Sequence, residues 1–235
     1  MGKEANKLTE KEFLQQYNLK DYEHSGLSVD SLVFTISDVE NNNIRKLNEK
    51  RLQILLVKRK EHPYIGLWAL PGTFLLQNET LEEAYMRSLK NKAKFDKAYL
   101  EQLYTFDDIK RDPRGRILTV AYMGLIPKPS EVLDKNAGWF DIKDLKSLKI
   151  AFDHVKIIDY GLQRLKNKIE WTDIAFSMLP KEFTKAELQQ VFEIILDKKL
   201  TKANFQRKIK DRIKSVSKFK TGGFRPAELF EYKRK

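Results

Sequence analysis

A chain of 235 residues has room for one or two domains, and 41% hydrophobic with 11% aromatic residues supply enough apolar surface for a packed core, which excludes a disordered chain. The lack of cysteine excludes disulfides, thiolate zinc sites and thiol catalysis and fits a reducing cytoplasm; the first residues, MGKEANKLTEKEF, hold no apolar stretch of signal-peptide length and no run approaches a membrane span, so export and membrane insertion are not expected. The net charge of +12 is unevenly spread, with 16 Lys/Arg against 8 Asp/Glu in residues 171–235 and 29 against 25 in the first 170, so an anionic partner is expected at the back, a solvated lysine-rich surface being the alternative.

Thr9-Glu10-Lys11-Glu12 has the spacing of a capping box and predicts a short helix to about Tyr17. Leu27 to Ile36, apolar and β-branched, predicts a strand that Asn41-Asn42-Asn43 breaks, and Leu52 to Val57 predicts a fully buried strand. His62 to Gly72, rich in Pro and Gly, predicts a structured loop. Thr80 to Ala93 carries Leu81, Ala84, Tyr85 and Leu89 at helical spacing. Leu100 to Phe106 and Ile117 to Ile126 predict strands joined by the loop Asp107 to Arg116; Gly138 to Phe140 predicts a further short one, and a long helix is expected from an N-cap at Asp153 to about Ile169. Strands first and helices last predict an α/β domain over 1–168 and a small, mostly helical domain over 169–235, with the boundary between Asn167 and Trp171.

In the back domain Thr184-Lys185-Ala186-Glu187 is a second capping box, opening a helix to about Leu196 that buries Leu188, Val191, Phe192 and Ile195. Thr201 is expected to cap another helix to about Ile213, with Phe205, Ile209 and Ile213 on its buried edge and Ala203, Asn204, Arg207, Lys210 and Lys214 on the opposite face. Val216 to Phe219, the turn Thr221-Gly222-Gly223 and Arg225 to Phe230 then predict a hairpin. Helix, turn, basic helix and basic hairpin form a winged helix-turn-helix pattern, and residues 198–220 hold ten basic side chains against the single acid Asp211. The expected contacts to double-stranded DNA are Lys202, Asn204, Arg207, Lys208, Lys210 and Lys214 from the helix and Lys218, Lys220 and Arg225 from the wing. Asn204 suits an adenine edge, and the lysines suit phosphates. A small dimerisation bundle has the same periodicity; the charge bias favours DNA.

The segment from Trp68 to Phe95, WALPGTFLLQNETLEEAYMRSLKNKAKF, resembles the Nudix box, G-x5-E-x7-R-E-U-x-E-E-x-G-U with U apolar. Thr73 takes the place of the first Gly, Glu79 of the first Glu, Arg87 of the Arg and Leu89 of the apolar position; Ser88, Asn91 and Lys92 stand where the family has its metal-binding glutamates, and Lys94 replaces the last Gly. On a continuous helix 88, 91 and 92 share a face, and Ser, Asn and Lys there offer no carboxylate to Mg²⁺, so no catalytic residue, metal site or cofactor is expected; Glu79, Glu82 and Glu83 are spaced as acids at a helix start. Tyr99 to Phe106 and Arg111 to Arg116 resemble the ADP-ribose-handling branch of the family. Phe183-Thr184, Glu187-Leu188-Gln189, Asn204-Phe205 and Arg225-Pro226-Ala227 resemble the winged half of Nudix-related transcriptional regulators of the NrtR type. That resemblance implies a mixed-sheet Nudix sandwich between helices followed by a winged helix-turn-helix. It also implies a homodimer on a palindromic operator, and a sensor that binds ADP-ribose, a sugar or a phosphosugar without hydrolysing it. A divergent ADP-ribose pyrophosphatase is the alternative. The effector residues expected are Glu79 and Arg87 in the box, Arg59, Arg111, Arg114 and Arg116 for a diphosphate, and Trp68 either as an adenine platform or as a core plug. His154 is expected to belong to a helix cap, and Gly72 and Gly222-Gly223 to turns.

Overall fold

A computed structural model describes residues 8–39, 49–93, 99–132, 134–221 and 226–233. Helix α1 (Glu10–Gln16), held by the Thr9/Glu12 capping box, precedes a mixed sheet. The sheet contains β1 (Gly26–Val39), β2 (Glu49–Lys58), β3 (Trp68–Ala69), β4 (Gly72–Phe74), β5 (Tyr99–Phe106), β6 (Ile117–Ile126) and β7 (Ala137–Asp141). Its order is β3-β2-β1-β6-β5, with β4 on β1 and β7 on β2; β1 and β6 run parallel and the other named strand pairs antiparallel.

The two-residue period of the strands sorts side chains between two cores. Val29 and Val33 of β1, with Val120, Tyr122 and Ile126 of β6, pack under α2 (Leu81–Leu89) through Ala84, Tyr85 and Leu89. Leu32, Phe34 and Ile36, with Leu52, Ile54 and Leu56 of β2 and Met123 and Leu125 of β6, face α3 (His154–Ile169) through Ile157, Ile158 and Leu165. Helix α2 starts at the Thr80/Glu83 capping box but stops at Leu89, short of the expected Ala93. No apolar side chain follows at helical spacing before Ala93, and the chain turns there to bridge Ala93 with Val132.

The winged-helix elements are β8 (Phe183–Thr184), α4 (Lys185–Leu196), α5 (Lys202–Ile209), β9 (Ile213–Lys220) and β10 (Ala227–Tyr232), and the small sheet runs β8-β10-β9. The expected helix to Ile213 ends at Ile209, because Ile213 is buried as the first residue of β9, paired with Tyr232; Lys214 therefore lies on a strand and not on the helix. Leu188, Val191, Phe192 and Ile195 of α4 join the same apolar cluster as Leu165 and Ile169 of α3, so the core runs unbroken from the sheet into the winged helix. The hinge is also bolted: Arg212 donates to the Asp173 carboxylate and the Thr172 carbonyl, and Tyr232 stacks on Phe176 at 4.4 Å while its hydroxyl donates to Asp173 at 2.6 Å.

Candidate functional site

Strand β1 changes partner halfway along one edge, with Ser28 to Asp30 pairing with β4 and Phe34 to Val39 pairing with β2. The edge forks there, and a cleft of about 420 Å³ opens, lined by the start of β1, the end of β2 with the loop after it, β4, residues of the loop 111–114, and Phe152 and His154. At its floor lies Asp30, the one charged residue in the apolar stretch of β1. A buried carboxylate needs partners. Arg111, with a side chain 3% exposed, donates to Asp30 at 3.4 Å and makes a two-pronged contact with Asp153 at 3.1 and 2.9 Å. Asp153 stands at the N-cap of α3 but makes no side-chain cap bond, since its carboxylate serves Arg111. His154 follows, fully buried; its Nδ1 accepts the Leu70 N–H at 2.9 Å and its Nε2 lies 3.7 Å from Asp30. Burial pushes the imidazole below its ordinary range, and because Nδ1 accepts the Leu70 N–H the neutral ring carries its proton on Nε2. Gly72 sits opposite Asp30 because a Cβ there would lie 2.4 Å from the Asp30 carboxylate oxygen; it is a strand residue at the cleft and not the expected turn.

The wall is aromatic and cationic. Phe152, in the left-handed region at φ 55°, lies under the Arg59 guanidinium at 4.7 Å and the Arg114 guanidinium at 5.6 Å, with the Tyr64 ring 5.0 Å away. Burial lowers Arg59 from the ordinary arginine range and the Arg114 charge adds to that. Arg114 grips Asp112 at 2.9 and 2.7 Å; burial acts to raise that carboxyl, but the hydrogen bonds and charge of Arg114 outweigh it and keep it low.

The structure thus gathers Arg59, Arg111 and Arg114 in one cleft, Arg111 already spent on carboxylates. The other expected effector residues lie elsewhere. Trp68 packs its ring on Phe140 at 4.5 Å against the main core, as a plug. Arg87 is consumed by Glu79, Thr73 and the Phe74 carbonyl, so Glu79 and Arg87 brace the loop before α2. Arg116 donates to the Asp107 carbonyl. Ser88, Asn91 and Lys92 do not share a helical face, since α2 ends at Leu89. Ser88 is buried on Ser31 and the Tyr85 carbonyl, Asn91 is exposed, and Lys92 reaches the Asp134 carboxylate at 3.0 Å. A divalent ion does not fit this donor set, which has one buried hydroxyl, one neutral amide and one ammonium where carboxylates are needed. Lys94 lies outside the described residues. Sequence reading missed Asp30, Phe74 and Phe152 as cleft residues, and Tyr64 and Asp153 as the groups behind Phe152 and Arg111. A lone carboxylate inside a buried strand is the signal that points to the first of them.

At the other end, α5 buries Phe205 and Ile209 and exposes Lys202, Asn204, Arg207 and Lys208, with Lys210 exposed at its C-cap. Arg207 donates to the Asn204 side-chain oxygen, and Lys208 lays its ammonium 5.3 Å from the Phe192 ring. On the wing, Lys214, Lys218 and Lys220 are exposed and each is ion-paired at 2.7 Å, with Glu231, Glu182 and Glu187. Arg225 and the Gly222-Gly223 turn lie outside the described residues.

Fold and site together define a Nudix domain joined to a winged helix. The NUDIX domain profile matches residues 43–160, and the profile of the NrtR DNA-binding winged helix domain matches 175–232. The ADPR responsive transcriptional repressor NtrR of Acinetobacter baylyi is 33% identical over 99% of this chain and 92% of its own length. The ADP-ribose pyrophosphatase of Methanocaldococcus jannaschii is 34% identical over 69% of this chain and 86% of its own. The crystal structure of Shewanella oneidensis NrtR complexed with a 27mer DNA superposes with a TM-score of 0.73 at 30% identity, covering 88% of this chain and 93% of that one. The chain belongs to the NrtR family of Nudix-related proteins.

Proposed function

We propose that this chain is a DNA-binding transcriptional repressor whose Nudix half, over 1–168, binds ADP-ribose or a related nucleoside diphosphate without hydrolysing it, and whose winged helix, over 169–235, reads an operator. The observation that carries the reading is the exposed face of α5, where Asn204 and Arg207 stand together, with Lys210 on the same side at the C-cap, on a helix anchored from behind by Phe205 and Ile209. Short polar groups beside lysines are what base edges and phosphates require in the major groove. A winged module alone buries only about 600–1,000 Å², so the protein works as a symmetric dimer on half-sites about 10 base pairs apart or a multiple of that. No helix among the described residues is long and apolar enough to cross a membrane; the site of action is the chromosome, in the cytoplasm.

For the effector, the cleft offers guanidinium groups and an aromatic ring side by side, matching a diphosphate and a base. The pyrophosphatase relative supports a hydrolase reading; Ser88, Asn91 and Lys92 weigh against it, since none supplies a carboxylate for a catalytic metal. Fluorescence anisotropy with labelled DNA from the protein's own upstream region tests the proposal. Binding that survives competitor DNA and weakens in Arg207→Ala is expected. Equal affinity for all sequences, unchanged by Arg207→Ala, would overturn it.

A further inference from the structure

Lys92 stands where the Nudix box places its last metal-binding glutamate, and it lines the cleft together with Lys60 from the loop after β2. Both ammonium groups come to one oxygen of Asp134, Lys92 at 3.0 Å and Lys60 at 3.2 Å. Asp134 is itself fixed, accepting the Asn136 backbone N–H and side-chain amide at 2.9 Å each; these bonds, and then Lys92, hold its carboxyl far below the usual range. Two ammonium groups on one carboxylate leave a net positive charge. An ammonium has three donors, so donors remain on each lysine for a ligand. Of the cleft guanidinium groups, Arg111 is committed to Asp30 and Asp153 and Arg114 to Asp112, while Arg59 donates to the Pro63 and Glu61 carbonyls. A divalent ion brought here meets like charge, whereas a phosphate oxygen meets the same sign of charge that a metal presents in the hydrolytic relatives.

We propose that Lys92 and Lys60, held by Asp134, are a resident cation pair that binds the effector's diphosphate in place of a divalent metal, so that effector binding needs no metal. The inference rests on reading the cleft as a diphosphate site, and it adds a division of labour: guanidinium and aromatic groups hold one end of the ligand, the lysine pair its charge. It also gives a physical reason for the absent hydrolysis, because an ammonium neutralises a diphosphate without generating a metal-bound nucleophile.

The test is titration calorimetry of the full chain with ADP-ribose, and separately with inorganic pyrophosphate, in excess EDTA and in Mg²⁺. Wild-type affinity is expected to be the same in both buffers within about twofold. Lys92→Met removes a charge-assisted contact and is expected to weaken ADP-ribose by about tenfold to a hundredfold, with Lys92→Arg restoring most of it. Lys92→Glu is expected to lose binding in EDTA and to recover part of it in Mg²⁺. Lys60→Met, at a side chain 59% exposed, serves as the variant least able to disturb folding, and each variant is checked by thermal unfolding. Wild-type binding that collapses in EDTA, or Lys92→Met and Lys60→Met both binding like wild type, would overturn the cation pair while leaving the diphosphate site standing. A wild-type protein that binds neither ligand in either buffer would overturn the diphosphate reading and the pair with it.

Discussion

Replacing Arg111 with methionine keeps most of the side chain's length and removes its charge. In the wild-type protein that guanidinium, 3% exposed, faces Asp153 through two hydrogen bonds and Asp30 through one. The two acids differ in what the loss does to them. Asp153 is 17% exposed and regains some water, whereas Asp30 is 8% exposed and lies on the cleft floor beside a neutral His154. Removing one partner of a buried ion pair costs about 3–5 kcal/mol, because the other charge stays buried and uncompensated. The cost should therefore be dominated by Asp30, and Asp30→Asn in the Arg111→Met background should recover a large part of it. Urea unfolding of the four members of this double-mutant cycle measures the coupling, which should lie at about 1–3 kcal/mol. Arg111→Met within about 1 kcal/mol of wild type, or two losses that simply add, would refute the account of the cleft floor.

Gly72→Ala should destabilise the fold by about 1–3 kcal/mol and weaken the effector, since its Cβ would meet Asp30 at 2.4 Å and the Val29 carbonyl at 3.1 Å; thermal unfolding and calorimetry check it. Burial holds His154 below 6.5, so below that pH the unfolded chain takes up a proton that the folded chain refuses. Stability should fall as pH drops below about 6.5, by no more than about 1.4 kcal/mol per pH unit from this group, and His154→Gln should flatten that part of the profile in denaturant titrations at several pH values. Lys202→Ala, at the start of α5, and Lys210→Ala, at its C-cap, should each lower the slope of log K against log salt by about 0.9 if they contact phosphates, whereas Asn204→Ala should relax sequence preference and leave the slope unchanged.

Of the strands that frame the cleft, β1 and β2 are legible because each carries a continuous apolar run, whereas the three-residue β4, Gly72–Phe74, has none and follows a Pro/Gly-rich loop; away from the cleft, Ile117 to Ile126 is β6 residue for residue. Capping boxes make the starts of α1 and α4 legible for the same local reason, while the Thr80/Glu83 box that opens α2 emerges in the structure, the sequence reading of that helix resting on its apolar spacing. Helix ends were less legible. Phe205, Ile209 and Ile213 satisfy a helical edge, yet Ile213 is equally suited to open a strand, and only its pairing with Tyr232 decides. A boundary near 168 marks a change of composition, while the apolar cluster through Leu165, Ile169, Leu188 and Val191 shows packing that ignores it. In the site, the arginines of the 111–116 loop stood out by type, but type could not tell the buried organiser Arg111 from Arg116 on the outside. Phe152 is silent because its role depends on Arg59 and Arg114, distant in sequence, whereas Asp30 carries a signal as a lone carboxylate in an apolar strand that does not say which partner meets it.

The most direct test of the whole account follows the protein–DNA complex by anisotropy while ADP-ribose is added, with the nucleotide assayed in the same sample. The account predicts release of the operator, with an apparent DNA affinity about 5- to 150-fold weaker at saturating effector, and ADP-ribose recovered intact in the presence of Mg²⁺. A complex indifferent to ADP-ribose, or conversion of ADP-ribose to AMP and ribose phosphate, would contradict it.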